Sequence, residues 1–129
     1  MKGVYNLEAE KTVRAKIEQE LLNLGAPTGR LGYIQMACAL EIIIKEDQVI
    51  STTRVLYPMI ATLCNTKSAR IERNIREEIR AIWIYGNQKR LNQLFINRET
   101  CPPGNKEFLY TIARRLQNET HSGQGFRDF

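Results

Sequence analysis

Apolar residues along this chain recur at the spacing of helix faces, and no segment alternates convincingly as a strand does. Val13, Ile17, Leu21 and Leu24 stand at steps of four, four and three, which puts them on one side of a helix. Gly25-Ala26-Pro27 ends that helix, the glycine as a left-handed cap and the proline as a barrier beyond it. A second helix is expected over about 28–45, with Ile34, Ala37, Leu40, Ile43 and Ile44 as its apolar stripe, and Glu46-Asp47-Gln48 as a polar break. A third runs to about residue 65, with Val55, Leu56, Ile60, Ala61, Leu63 and Cys64 on its apolar side. Pro58 leaves two readings: a regular helix starts there, or a longer helix bends there. A fourth helix over 67–85 is closed by Gly86-Asn87, and a short fifth over 88–95 uses Leu91, Leu94 and Phe95. After the breaker Cys101-Pro102-Pro103-Gly104, a last helix over 105–117 buries Phe108, Leu109, Ile112, Ala113 and Leu116. The fold class is therefore all-α, a six-helix domain over 13–117. An N-terminal extension covers 1–12 and a flexible polar tail 118–129.

Charge narrows the function. The chain carries a net charge of +5 over 129 residues. Residues 1–66 and 99–129 are each balanced, so the excess sits in 67–98. There Lys67, Arg70, Arg73, Arg76, Arg80, Lys89, Arg90 and Arg98 face only Glu72, Glu77 and Glu78. A localised basic patch is the footprint of a polyanion binder; the plainer reading is a solvated charged face. Cys38, Cys64 and Cys101 lack the paired spacing of metal ligands, and the single histidine, His121, lies in the polar tail. Buried reduced thiols are expected, with no metal and no cofactor. No apolar run approaches the ~20 residues of a membrane span, and the start lacks the apolar stretch of a secretory signal. A cytoplasmic protein is expected. An enzyme is not, because no base accompanies a cysteine and no glycine-rich phosphate loop is present.

Ala61, Asn65 and Ile71 have the spacing of a helix-turn-helix over roughly 57–86. A small residue lets two helices approach, a residue tolerant of positive φ makes the turn, and a branched apolar residue docks the second helix. Asparagine visits the left-handed region more readily than most residues, and Thr66 or Ser68 can cap the second helix. At about 100° per residue, Ile71, Ile75, Ile79 and Ile82 cluster on one side with Trp83 and Tyr85 extending the stripe. Arg70, Arg73 and Glu77 fall opposite, with Asn74 and Arg80 at the edges. Arginine suits paired hydrogen bonds to guanine O6 and N7. Glu72 either accepts from a cytosine amino group or pairs with Arg76 one turn on. Lys67 and Ser68 at the helix start, and Lys89 and Arg90 beyond it, are candidate phosphate ligands.

These residues resemble a family. Thr53-Arg-Val-Leu-Tyr-Pro-Met-Ile-Ala, Asn65-Thr-Lys-Ser-Ala-Arg-Ile-Glu-Arg-Asn-Ile-Arg, Ile82-Trp and Tyr85-Gly-Asn are similar to the DNA-binding effector domain of the sporulation stage-zero response regulator A. Gly32-Tyr33 upstream, and Pro103, Asn105, Glu107-Phe108 and Arg115-Leu116 downstream, extend the likeness over about 13–117. The resemblance implies a fourth helix in the major groove, with Arg70, Glu72 and Arg73 where the family reads bases, which favours contact for Glu72. It also implies short G·C-containing sites, often in tandem, and contact with an RNA polymerase sigma factor near the helix ending at Phe95. The sequence departs from the family at Ala69, Asn74 and Glu77, where the family has Ser, Ala and His. Too few residues precede the first helix for a phospho-receiver domain, so switching by aspartyl phosphorylation within this chain is not expected.

The leading expectation is a sequence-specific transcription regulator binding double-stranded DNA through Lys67, Ser68, Arg70, Glu72, Arg73, Asn74 and Arg76. It would be monomeric when free and paired only on tandem sites. The rival is a helical interaction module that occupies a related regulator or sigma factor without binding DNA. Glu77-Glu78 beside the reading face gives the rival some support, because anions there repel phosphate.

Overall fold

In the computed structural model, residues 7–98 and 100–125 are described, with side chains over 12–98 and 100–119. Six α-helices and no strand occur among them: α1 (Leu7–Asn23), α2 (Leu31–Lys45), α3 (Tyr57–Leu63), α4 (Ser68–Tyr85), α5 (Gln88–Leu94) and α6 (Asn105–Gly125). None is long and apolar enough to cross a membrane. α2 is central and packs against α1, α3, α4 and α6. The two outer helices run past the expected boundaries. α1 begins at Leu7, where Leu-Glu-Ala-Glu-Lys are strong helix formers. α6 continues from Gln117 to Gly125, with Arg115 and Glu119 paired at 3.0 Å across one turn and no proline to stop it.

Pro58 falls in the first turn of a helix, close to the first of the two readings, and a π-helical turn precedes it. A π-helical turn spans Thr52–Leu56, in which the Leu56 N–H reaches Ser51 O and the Tyr57 N–H reaches Thr52 O. α3 then begins at Tyr57 with Pro58 in its first turn. In a regular helix the proline ring would press on the carbonyl four residues back, that of Arg54. A wider turn ahead of it is a common site for such a defect.

The core joins Ile17, Leu21 and Leu24 of the α1 region to Met36, Leu40 and Ile43 of α2. It continues through Leu56 and Ile60, the four buried isoleucines of α4 (Ile71, Ile75, Ile79 and Ile82), and Phe108, Leu109 and Ile112 of α6. Phe95 stacks on Phe108 with ring centres 5.4 Å apart and meets Trp83 edge-on at 5.2 Å. Arg90 closes the α1–α5 side through two bonds to Glu20, of 2.8 and 2.6 Å. Gly25 takes φ +77° as the left-handed stop of α1. Gly86 is needed for a different reason: a β-carbon there would stand 2.4 Å from both Ile82 O and Leu24 O. The Asn87 N–H then bonds Leu24 O at 2.9 Å, joining the ends of α1 and α4.

Several side chains expected inside lie outside. Ile34 is 54% exposed, and Val55 and Leu63 are also exposed. α2 turns Gly32, Gln35, Met36, Ala39 and Leu40 to its neighbours, leaving Ile34 on its outer edge. Tyr85, 84% exposed, sits on the last residue of α4, beyond the reach of the core, whereas Trp83 is buried. The cysteines are free, as expected, but not buried as a set. Cys38 is half-buried, Cys64 is exposed at the end of α3, and Cys101 is exposed in the loop ahead of Pro102.

Two substitutions check this packing by urea unfolding. Ile75→Ala is expected to cost about 2–5 kcal/mol, as for a fully buried aliphatic side chain. Gly86→Ala is expected to cost about 1–3 kcal/mol from overpacking. A β-carbon at Gly29 meets nothing within 4 Å, so Gly29→Ala should stay within about 0.5 kcal/mol of the parent. A neutral Gly86→Ala would contradict the close approach of α1 and α4.

Candidate nucleic-acid interface

α3 and α4 are joined by a turn in which Asn65 adopts φ +55°, and it is the one non-glycine residue at positive φ among those described. The Thr66 N–H returns to Ala61 O at 2.9 Å. Ala61 and Ile71 are both buried, so the three positions of the turn act as their chemistry requires. The cap of α4 differs from expectation. Lys67 is its N-cap, and neither Thr66 nor Ser68 supplies a side-chain bond. The first-turn N–H groups of α4 therefore have no side-chain acceptor, at the positive end of an 18-residue helix.

Ile71, Ile75, Ile79 and Ile82 are all buried, each contributing about 1.5–3 kcal/mol. That face fixes the helix about its axis and sends Lys67, Arg70, Arg73, Arg76, Glu77 and Arg80 to solvent. Lys67, Arg70, Arg73 and Arg80 make no ion pair or side-chain hydrogen bond to any described residue. Glu72 and Arg76 lie 3.7 Å apart, both about half exposed. Such a pair contributes only a few tenths of a kcal/mol, so it leaves Glu72 available to another partner. The backbone of Glu72 is held more firmly: Asn105, opening α6, donates to Glu72 O at 3.0 Å and to the Tyr57 hydroxyl at 2.9 Å.

Ser68 is half-buried in the first turn. Asn74 is also half-buried, and its amide donates to Gln35 Oε1 of α2 at 3.0 Å. Arg90, a candidate phosphate ligand by sequence, is committed to Glu20.

Glu78 does not lie beside the reading face. It is fully buried, and neither carboxylate oxygen has a hydrogen-bond partner. Among the described residues its charged partner is Arg30, the N-cap of α2, whose Nε stands 3.4 Å from Glu78 Oε1, too poorly aligned for a hydrogen bond. Arg30 Nη2 donates to Glu77 O at 3.2 Å. Sequence reading missed Arg30 because nothing local marks it. Its partners lie 47 and 48 positions away, and only the packing of α2 on α4 joins them.

Residues 17–116 match the family described as Sporulation initiation factor Spo0A C terminal. The match covers most of the 129-residue chain, and the chain belongs to this family. The family is a helical DNA-binding regulatory domain, not an enzyme family, so double-stranded DNA is the partner of this fold.

Burial pushes the Glu78 carboxyl up to about 7, outweighing the opposing pull of Arg30. Its ordinary value is 4.5. Between these values the folded protein holds a proton that the unfolded chain has released. Stability from this group is therefore complete below about 4.5 and is lost as pH rises to about 7. Glu78→Gln should remove this trend, so that the parent loses stability relative to the variant across that window in urea unfolding. Parallel curves for the two proteins would contradict the assignment.

Proposed function

We propose that this member of the sporulation effector family is a sequence-specific transcription regulator that lays α4 in the major groove and reads bases with Arg70, Glu72 and Arg73. The observation that carries this reading is the division of α4 into a buried isoleucine face and an outer face of uncommitted cations. An arginine engaged in no internal pair is free to make two bonds to guanine. Lys67, with the free N–H groups of the first turn and Ser68, holds a phosphate and sets register. Arg76 serves the backbone from the flank, and Asn74 positions α4 through Gln35 rather than reading a base. Such a regulator works in the cytoplasm, where the DNA is.

The domain is monomeric when free and pairs on adjacent sites. A sigma factor is its second partner, reached through the end of α4 and the segment after α5, where Ile84, Tyr85 and Ile96 stand exposed. The rival reading, occupation of another regulator without DNA, loses part of its support. Only Glu77 of the acidic pair faces solvent, and it stands among four exposed arginines.

Reading and holding are separable. Arg70→Ala is expected to cost about 1–3 kcal/mol on the preferred duplex and to relax one base preference, with much less effect on scrambled DNA. Lys67→Ala should weaken both duplexes alike and reduce the salt slope by about one unit. Titrations of both variants on both duplexes at several salt concentrations distinguish the roles. Equal losses for Arg70→Ala on the two duplexes would assign Arg70 to the backbone and overturn base reading by this face.

A further inference from the structure

We propose that Arg30 is a phosphate ligand in the DNA complex, and that it leaves Glu78 for a phosphate only as Glu78 takes up a proton, so that DNA binding is coupled to proton uptake. The inference rests on the proposed placement of α4 in the major groove.

The geometry begins with Gly32, whose position against the Asn74 carbonyl lays the start of α2 along the middle of α4. Arg30 is thereby carried to Glu77, a residue on the same outer side of α4 as Arg70 and Arg73 at about 100° per residue. A duplex holding α4 in its major groove runs its sugar-phosphate backbones along the flanks of the helix. The Arg30 side chain is 47% exposed on one such flank.

The surroundings of Arg30 favour an anion. α2 has 15 residues, no acidic residue in its first turn and no side-chain bond at its N-cap. Its positive end therefore attracts phosphate and repels the arginine that caps it. What holds the guanidinium there is the Glu77 carbonyl and the Glu78 carboxylate.

Those two demands on Arg30 compete. Moving the guanidinium to a phosphate leaves Glu78 as a buried charge with no partner, which is costly. A proton on Glu78 removes that cost. Among the described residues, the groups that act on Glu78 are Arg30 at the start of α2 and Tyr33 of α2, while Glu77 of its own helix is turned to solvent. Tyr33 is held above its usual range, chiefly by burial, and stays neutral. Glu78, at about 7, exchanges its proton where DNA binding is ordinarily measured.

The test is a fluorescence-anisotropy titration of a selected duplex at fixed salt from pH 6 to pH 8. It uses the full chain, Glu78→Gln and Arg30→Ala, all carrying His121→Asn so that the single histidine does not titrate. The full chain is expected to lose about threefold to tenfold in affinity across this range, the response of one linked proton. Glu78→Gln should show a flat profile and bind at pH 8 about as tightly as the full chain does at pH 6. Arg30→Ala should be flat and weaker at pH 6, by similar factors on scrambled DNA, with a salt slope smaller by about one unit. Parallel profiles for the full chain and Glu78→Gln would overturn the coupling. An Arg30→Ala variant equal to the full chain at pH 6 would overturn the phosphate contact. Failure of the full chain to bind any duplex would instead remove the proposed function, and this inference with it.

Discussion

A β-carbon on Gly32 would stand 2.6 Å from the carbonyl oxygen of Asn74, closer than real β-carbons come to any backbone atom. The absence of a side chain there lets α2 lie directly on α4, and the rest of the arrangement follows from that approach. Gln35, one turn along α2, reaches the Asn74 amide. Arg30, just before α2, reaches the far side of the same helix stretch at Glu77 and Glu78. On the opposite flank, Asn105 at the start of α6 bonds the Glu72 carbonyl. α4 is thus gripped along both edges by polar contacts and along its floor by four buried isoleucines.

The relative sizes of these effects explain how one helix can be both core and the proposed interface. Each buried isoleucine contributes about 1.5–3 kcal/mol, whereas the exposed Glu72–Arg76 pair contributes a few tenths. Packing therefore holds α4, and the outer charges are left to act on a partner. Glu78 is the exception, a buried carboxylate whose ionised form is tolerated only through Arg30. A buried ion pair with poor geometry adds little stability, so its presence calls for a functional account.

Much of this was legible in the sequence because it is periodic or local. The steps of three and four among the apolar residues placed all six helices, and Gly25, Asn65 and Ile71 marked a cap, a turn and a docking residue by their own conformational or packing chemistry. The outer placement of Arg70 and Arg73 followed from the isoleucine stripe. Residues whose role depends on a distant partner were not legible. Asn74 shares the edge of α4 and turns inward only because Gln35 is there. Glu78 follows Glu77 in a charged run and is buried only because Gly32 lets α2 cover it. Ile34 looked apolar enough for the core, yet α2 had already given its other sides to its neighbours. Pro58 announced a disturbance, but not that a π turn would absorb it.

The central claim is that the outer face of α4 meets guanine edges in the major groove. Methylation of guanine N7 by dimethyl sulfate tests it directly, on a duplex selected from a random pool and sorted into bound and free fractions. Loss of bound DNA methylated at one or two guanine N7 positions in the site, with no effect of methylation outside it, is the result expected. Full binding of DNA methylated at every guanine N7 in the site would place the contact elsewhere and contradict the account.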